Sequence, residues 1–345
     1  MRQMREVMNE SIKFVVVLAA AGALLHSKAG AQDLTTITGE RGVHGMPLPA
    51  KAKAMADFNA LQTSGTPALV YYGGPVMITA TSYAIFWAPA TLQNGHSTSM
   101  STSYKNIQAA FLKAYPGHGI SNNNTQYYMT TGSGTSQIKS YIKNVGAFGG
   151  SYVDTSAYPS SGCSDSVTPG DCLSDTQIQA EVRRVMALKG WTGGLNHIFF
   201  VYTSNGEGSC ADFGGCAYTD YCAYHGYFLS GSTPVIYGNE PYAAAGYCQG
   251  GTSPNGDAAG DAAASITSHE LTESITDPEL DAWFSSTGEE IGDLCVWNYG
   301  TNTWLSGKAN EYWPNFYTGS NLFGTSFELQ QEYDNHTASC RQVGP

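Results

Sequence analysis

The stretch SDTQIQAEVRRVMALKGWTGGLNHIFFVYTS, residues 174–204, sets the fold. Ser174-x-x-Gln177 is a capping-box pattern, in which two side chains satisfy the orphan N–H groups at a helix start. Ile178, Val182 and Val185 follow at helical spacing and form one apolar stripe. HIFFVYTS, residues 197–204, then runs apolar without alternation, as a strand covered on both faces does. Upstream, ALVYYGGPVMITATSYAIFWAP (68–89) reads as strands. Val76, Ile78 and Ala80 alternate with their neighbours, Gly73-Gly74 makes a turn, and Tyr83, Ile85 and Trp87 continue the alternation. STSYKNIQAAFLKAY (101–115) places Tyr104, Ile107, Phe111 and Tyr115 on one helical face, and Pro116-Gly117 ends it. QYYMTT and SYIKNVGAFGGSYVDTS add further strands. Downstream come a cysteine-rich loop over 205–226, the strand PVIYG, and a helix ending in HELTESITDP (269–278). This order predicts an α/β fold, a mixed β-sheet flanked by helices, with a loop-rich C-terminal third closed by Cys340.

The first 31 residues read as an export signal rather than part of the fold. Arg2, Arg5 and Lys13 precede the apolar run FVVVLAAAGALL (14–25), and Ala29-Gly30-Ala31 supplies an A-x-A cleavage site, so the mature chain is expected to begin at Gln32. Residues 32–345 read as one domain, opening with a lead to residue 65 that carries one short helix near PAKAKAMADFNALQ. No later stretch is apolar enough to span a membrane. The net charge of −12, with only 13% of residues charged, argues against nucleic acid as a partner. The eight cysteines all lie at or beyond Cys163, and an even count in an exported chain predicts disulfides. No CxxC occurs to favour cysteine-bound metal instead.

In HELTESITDP, His269 and Glu273 stand four residues apart and share one helix face, with Glu270 a step round from them. This is the geometry of the zinc-peptidase HExxH helix with glutamate in place of the second histidine, and carboxylate is an acceptable zinc ligand. An oxygen-richer site also suits calcium, magnesium or manganese. Pro278 disfavours helix at Asp277, and GEEIGDLC then brings back Glu289, Glu290 and Asp293. Zinc at His269 and Glu273 needs a third protein ligand. Asp293 is the first choice, 293 − 269 = 24 residues on, roughly the interval at which thermolysin-like enzymes place theirs; Asp277 and Glu289 are alternates. Glu270 is the expected general base. The competing reading has Asp277 and Asp293 capping turns and His269 as a satisfied core residue. His225 in CAYHG and His336 in DNHTASC are further candidate ligands, although a lone histidine in a loop is more often structural. No G-x-S-x-G elbow or cysteine-protease signature supports a serine or cysteine hydrolase.

Four blocks, in order, resemble the EXORDIUM-like proteins, the phosphate-induced family of plant cell walls with bacterial relatives. They are GGPVMITATSYAIFWAP, CAYHGYF, SPNGDAAGDAAASITSHELTESITDP and FELQQEYDNHTASC, with PNGD-x-x-x-D at Pro254 to Asp261 the most specific. The resemblance implies a secreted protein tied to growth and carbon status in plants, without an agreed biochemical function. The plant pattern lacks the helix His and both glutamates, whereas this chain has all three. Bacterial relatives resemble this chain in an HExxE helix and a GDxC turn, and because Cys295 in that turn and Cys340 in the last block flank the site segment, they are expected to pair, with Cys222–Cys248 as the next pair. The functional expectation is an exported zinc-dependent metallohydrolase acting on a peptide, with calcium possible instead or in addition. The rival is a non-catalytic cell-envelope protein with a structural metal, binding cell-wall polymer.

Overall fold

The computed structural model describes residues 44–49, 69–212, 214–300, 312–313 and 325–345. Its centre is a six-stranded sheet. The strands are β1 (His44–Pro47), β2 (Ala80–Trp87), β3 (Gly146–Asp154), β4 (His197–Thr203), β5 (Tyr221–Ser230) and β6 (Thr233–Glu240). They lie in the order β1-β5-β6-β4-β2-β3. The run β6-β4-β2-β3 is parallel. β5 turns back antiparallel on β6, and β1 pairs antiparallel with the outer edge of β5. The expected mixed α/β architecture is therefore present. HIFFVYT is the central strand β4, and every residue in it from Ile198 to Thr203 is buried.

Three long helices cover the sheet: α1 (Thr102–Ala114), α2 (Asp175–Lys189) and α3 (Ala258–Thr276). α2 opens on the expected capping box and ends at Gly190, whose φ of 67° is left-handed. Asp175 in its first turn accepts hydrogen bonds from Tyr224 Oη (2.7 Å) and Tyr237 Oη (2.5 Å), which ties α2 to one face of the sheet. Tyr202 projects from the other face, with its hydroxyl 3.1 Å from Thr267 of α3 and its ring edge-on to Tyr104 of α1.

α3 is buried along nearly its whole length. Its first turns are rich in Ala and Gly, which lets α1 approach closely: a Cβ on Gly260 would stand 2.8 Å from Ile107, and Gln108 donates to the Gly260 carbonyl at 2.7 Å. Two of the hydroxyls it buries bond back into their own helix, Thr272 to Ser268 O and Ser274 to Glu270 O, both at 2.7 Å. Asp257 of the PNGD turn caps the helix by accepting from Gly260 N.

All eight cysteines are paired. Cys295–Cys340 and Cys222–Cys248 form as expected, and Cys163–Cys172 and Cys210–Cys216 are the others. Among the described residues no helix is long and apolar enough to cross a membrane. The export signal and nearly all of the short helix expected near residues 49–62 lie outside the described residues.

Three expectations need correction. Val76 and Ile78 alternate but do not join the sheet, because Met77 N–H bonds to Ile275 O at the end of α3. The segment 221–226 is not loop but the first half of β5. The lead contains the edge strand β1, and its Met46 is fully buried.

Glu207, fully buried after β4, gives a pH test of this packing. Burial, and then the Asp171 charge, push its carboxyl from 4.5 up to about 8, against a backbone hydrogen bond from Gln93. The folded chain thus holds this proton more tightly than the unfolded chain. The stabilisation is complete below about 4.5 and is lost as pH rises through about 8. Glu207→Gln should match wild type in melting temperature at pH 4.5 and melt higher at pH 8.5. A pH-independent difference in calorimetry would contradict this assignment.

Candidate metal centre

His269 and Glu273, one turn apart on α3, point the same way: His269 Nε2 is 3.1 Å from Glu273 Oε1. The turn Asp293–Cys295 brings Asp293 Oδ1 to 3.6 Å from the same nitrogen. One ligand atom from each of His269, Glu273 and Asp293 falls within 4.8 Å of the others, a spacing that can hold a metal ion. The turn is fixed on several sides. Asp293 N–H donates to Glu273 Oε1 (3.0 Å), Tyr333 N–H to Ile291 O (3.0 Å), and Cys295 is bonded to Cys340. Gly292 permits the approach, since a Cβ there would stand 2.6 Å from His269 Nδ1 and 2.9 Å from Glu273 Oε1. Gln330 holds the far side of the imidazole, its side-chain amide 2.9 Å from Nδ1. The same amide donates to Gly292 O at 3.1 Å and accepts Trp297 N–H on its oxygen at 3.3 Å, so it ties the imidazole to the turn that carries Asp293.

A second histidine faces the same helix. His225 on β5 lies with Nδ1 3.3 Å from Glu270 Oε2 and 3.7 Å from Glu273 Oε2, and with Nε2 3.8 Å from Glu290 Oε2. His225, Glu270 and Glu273 form a second group of metal-holding spacing that shares Glu273 with the first. Glu270 Oε1 accepts the backbone N–H of Met46 at 3.2 Å. Glu332, on the strand Glu332–Asp334, completes the cluster from the C-terminal side.

The electrostatics of this cluster favour a cation. His225, His269, Glu270, Glu273, Glu290 and Glu332 are fully buried, and only Asp293 keeps slight exposure, at 10%. Burial first, then neighbouring carboxylates, push the carboxyls of Glu273 and Glu290 well above the usual range. Burial does the same for Glu332, against the favourable pull of His269. His269 Nε2 and Glu273 Oε2 are buried without a hydrogen-bond partner. Buried acceptors on several carboxylates around an imidazole are costly as they stand, and a dication both pairs with them and lowers their proton affinity. The donor set, one imidazole and two carboxylates, fits a divalent metal.

Comparison with family models, curated proteins and solved structures gives no match. The functional reading therefore rests on this chain's own geometry.

The three first-choice ligands come together, with Glu270 beside them. The alternates do not join either group. Asp277 Oδ1 accepts the amides of Asp281 and Ala282, each at 2.7 Å, and so closes the turn after α3. Glu289 binds the Ser285 and Thr287 hydroxyls in its own turn. His336 is exposed on the C-terminal hairpin. His225 departs from its reading as a loop histidine, because strand alternation aims it at α3. Glu332, Gln330 and Met46 had no local signal to mark them.

Gly292→Ala should weaken zinc binding by about 10- to 100-fold through the displaced His269 ring, with the Cys295–Cys340 bond intact. Isothermal titration with zinc checks it, and unchanged affinity would show that the close approach is not needed.

Proposed function

We propose that this chain is an exported metal-dependent hydrolase of peptide or similar amide bonds, its metal held by His269, Glu273 and Asp293. The observation that carries this reading is the triad itself, with a third carboxylate, Glu270, adjoining it on the same helix as His269 and Glu273. Zinc suits the imidazole nitrogen better than calcium, which takes oxygen ligands. Four disulfides suit an oxidising, extracytoplasmic compartment, in line with the signal-like N-terminus and the resemblance to EXORDIUM-like proteins.

A bound zinc supplies Lewis acidity, which lowers the pKa of a water and polarises a carbonyl. The chain's own residues do the rest. Glu270 takes the proton of the attacking water and passes it to the departing nitrogen. His225, 3.3 Å from Glu270 Oε2, orients that carboxylate. Gln330 and Gly292 fix the plane of His269. Asp293, the one partly exposed member, marks the side from which solvent reaches the cluster.

A second reading, a structural metal in a non-catalytic envelope protein, is favoured by one observation: the cluster is almost entirely buried. Two substitutions separate the readings. Glu270→Gln keeps shape but cannot accept the proton. It should retain zinc and fold while cutting hydrolysis of a mixed peptide library by roughly 10²- to 10⁴-fold. His269→Ala should lose zinc. Wild-type protein that binds zinc and cleaves nothing in the library would establish the structural reading.

A further inference from the structure

We infer that the outer edge of β5 is the binding cleft for an extended peptide, and that the chain's own residues 44–47 occupy it in the position of a substrate. β5 is the antiparallel outer strand of the main sheet, and its free edge would present a row of backbone donors and acceptors beside α3. β1 fills that edge, with Gly45 opposite Tyr224, Met46 opposite Ala223 and Pro47 opposite Tyr221. Strand addition of this kind is a standard mode of peptide recognition.

What distinguishes β1 from an ordinary edge strand is its contact with the centre. Met46 N–H donates to Glu270 Oε1 at 3.2 Å, across 224 residues of sequence. A hydrolase base makes the same contact with the departing nitrogen of the amide it cleaves. The Gly45–Met46 bond therefore lies where a scissile bond would. On that placement a substrate's C–N bond breaks as the water oxygen bonds to its carbonyl carbon. The water's proton moves to Glu270 and then to the nitrogen, leaving an acid and an amine. The neighbouring contacts define what fits. A Cβ on residue 45 would stand 2.8 Å from Ala223 O, so the residue before the bond is glycine. Met46 is fully buried, so the residue after it is a medium-sized apolar one. Trp297 Nε1 donates to Pro47 O at 2.8 Å and anchors the next residue. A tethered occupant acts at an effective concentration of about millimolar and competes with other peptides for the cleft, leaving a minor open fraction that still turns over. This arrangement also accounts for a hydrolytic centre that is buried.

The inference rests on Glu270 being the base proposed above, and the test keeps the two apart. Full-length wild type, Gly45→Ala and Met46→Pro are compared for zinc content, hydrogen exchange at the β5 amides, binding of a labelled VHGMPLP peptide, and hydrolysis of a Gly-Met peptide. Gly45→Ala pushes the strand off through its Cβ, and Met46→Pro removes the donor to Glu270. Both should keep zinc. Both should exchange β5 amides faster, and bind the peptide at least about tenfold more tightly, as expected if an occupant holds nine-tenths of the clefts. In wild type, millimolar peptide should deprotect the 44–47 amides while β5 stays protected, a readout that needs no variant to fold. Peptide binding without hydrolysis supports the cleft and rejects the hydrolase reading. Unchanged β5 exchange and peptide binding in a folded variant, or 44–47 amides that millimolar peptide leaves protected in wild type, overturns the cleft.

Discussion

A carboxylate taken out of water must be neutralised, paired or protonated, and α3 carries two such groups, Glu270 and Glu273, into a fully buried position. Around them the fold gathers Glu290, Glu332 and Asp293 and only then two imidazoles, His225 and His269. Concentrating like charges this way is unfavourable for folding in itself, as the raised proton affinities of Glu273, Glu290 and Glu332 express. A cation bound between them would turn that cost into binding energy. The scaffold is consistent with such a role. Two buried hydroxyls of α3, Thr272 and Ser274, bond back to carbonyls of their own helix, while Glu270 and Glu273 face the centre.

Distant parts of the chain hold this centre in place. β5 delivers His225, the turn at Gly292 delivers Asp293, and the C-terminal hairpin delivers Glu332 with Gln330 just ahead of it. The Cys295–Cys340 bond joins the last two, closing a 45-residue separation at the point where a ligand is presented. Its stabilising effect comes largely from the unfolded state, whose loop it closes, so position and stability are served together.

Much of this was legible locally. The capping box at Ser174 and the unbroken apolar run of β4 gave the layering, and the i, i+4 spacing of His269 and Glu273 gave one face of the centre. Asp293 followed from its distance along the chain. What escaped reading was non-local. CAYHG follows a cluster of cysteines and contains a glycine, so its strand character emerges only when β6 and β1 pair on either side. HGMP is a four-residue strand with glycine and proline in it, and no periodicity can mark so short an element. Val76 and Ile78 alternate convincingly, yet their backbone is claimed by the end of α3 rather than by a neighbouring strand. Glu332 sits in a short segment where an acid ordinarily faces water, and only tertiary packing turns it inward.

The most direct test is the anomalous scattering of zinc from crystals of the full-length protein at neutral pH. The account predicts a peak within about 2.0–2.2 Å of His269 Nε2 and of carboxylate oxygens from Glu273 and Asp293. A chain saturated with zinc that shows no peak among these three residues, or one ligated only through surface groups such as His336, would contradict it.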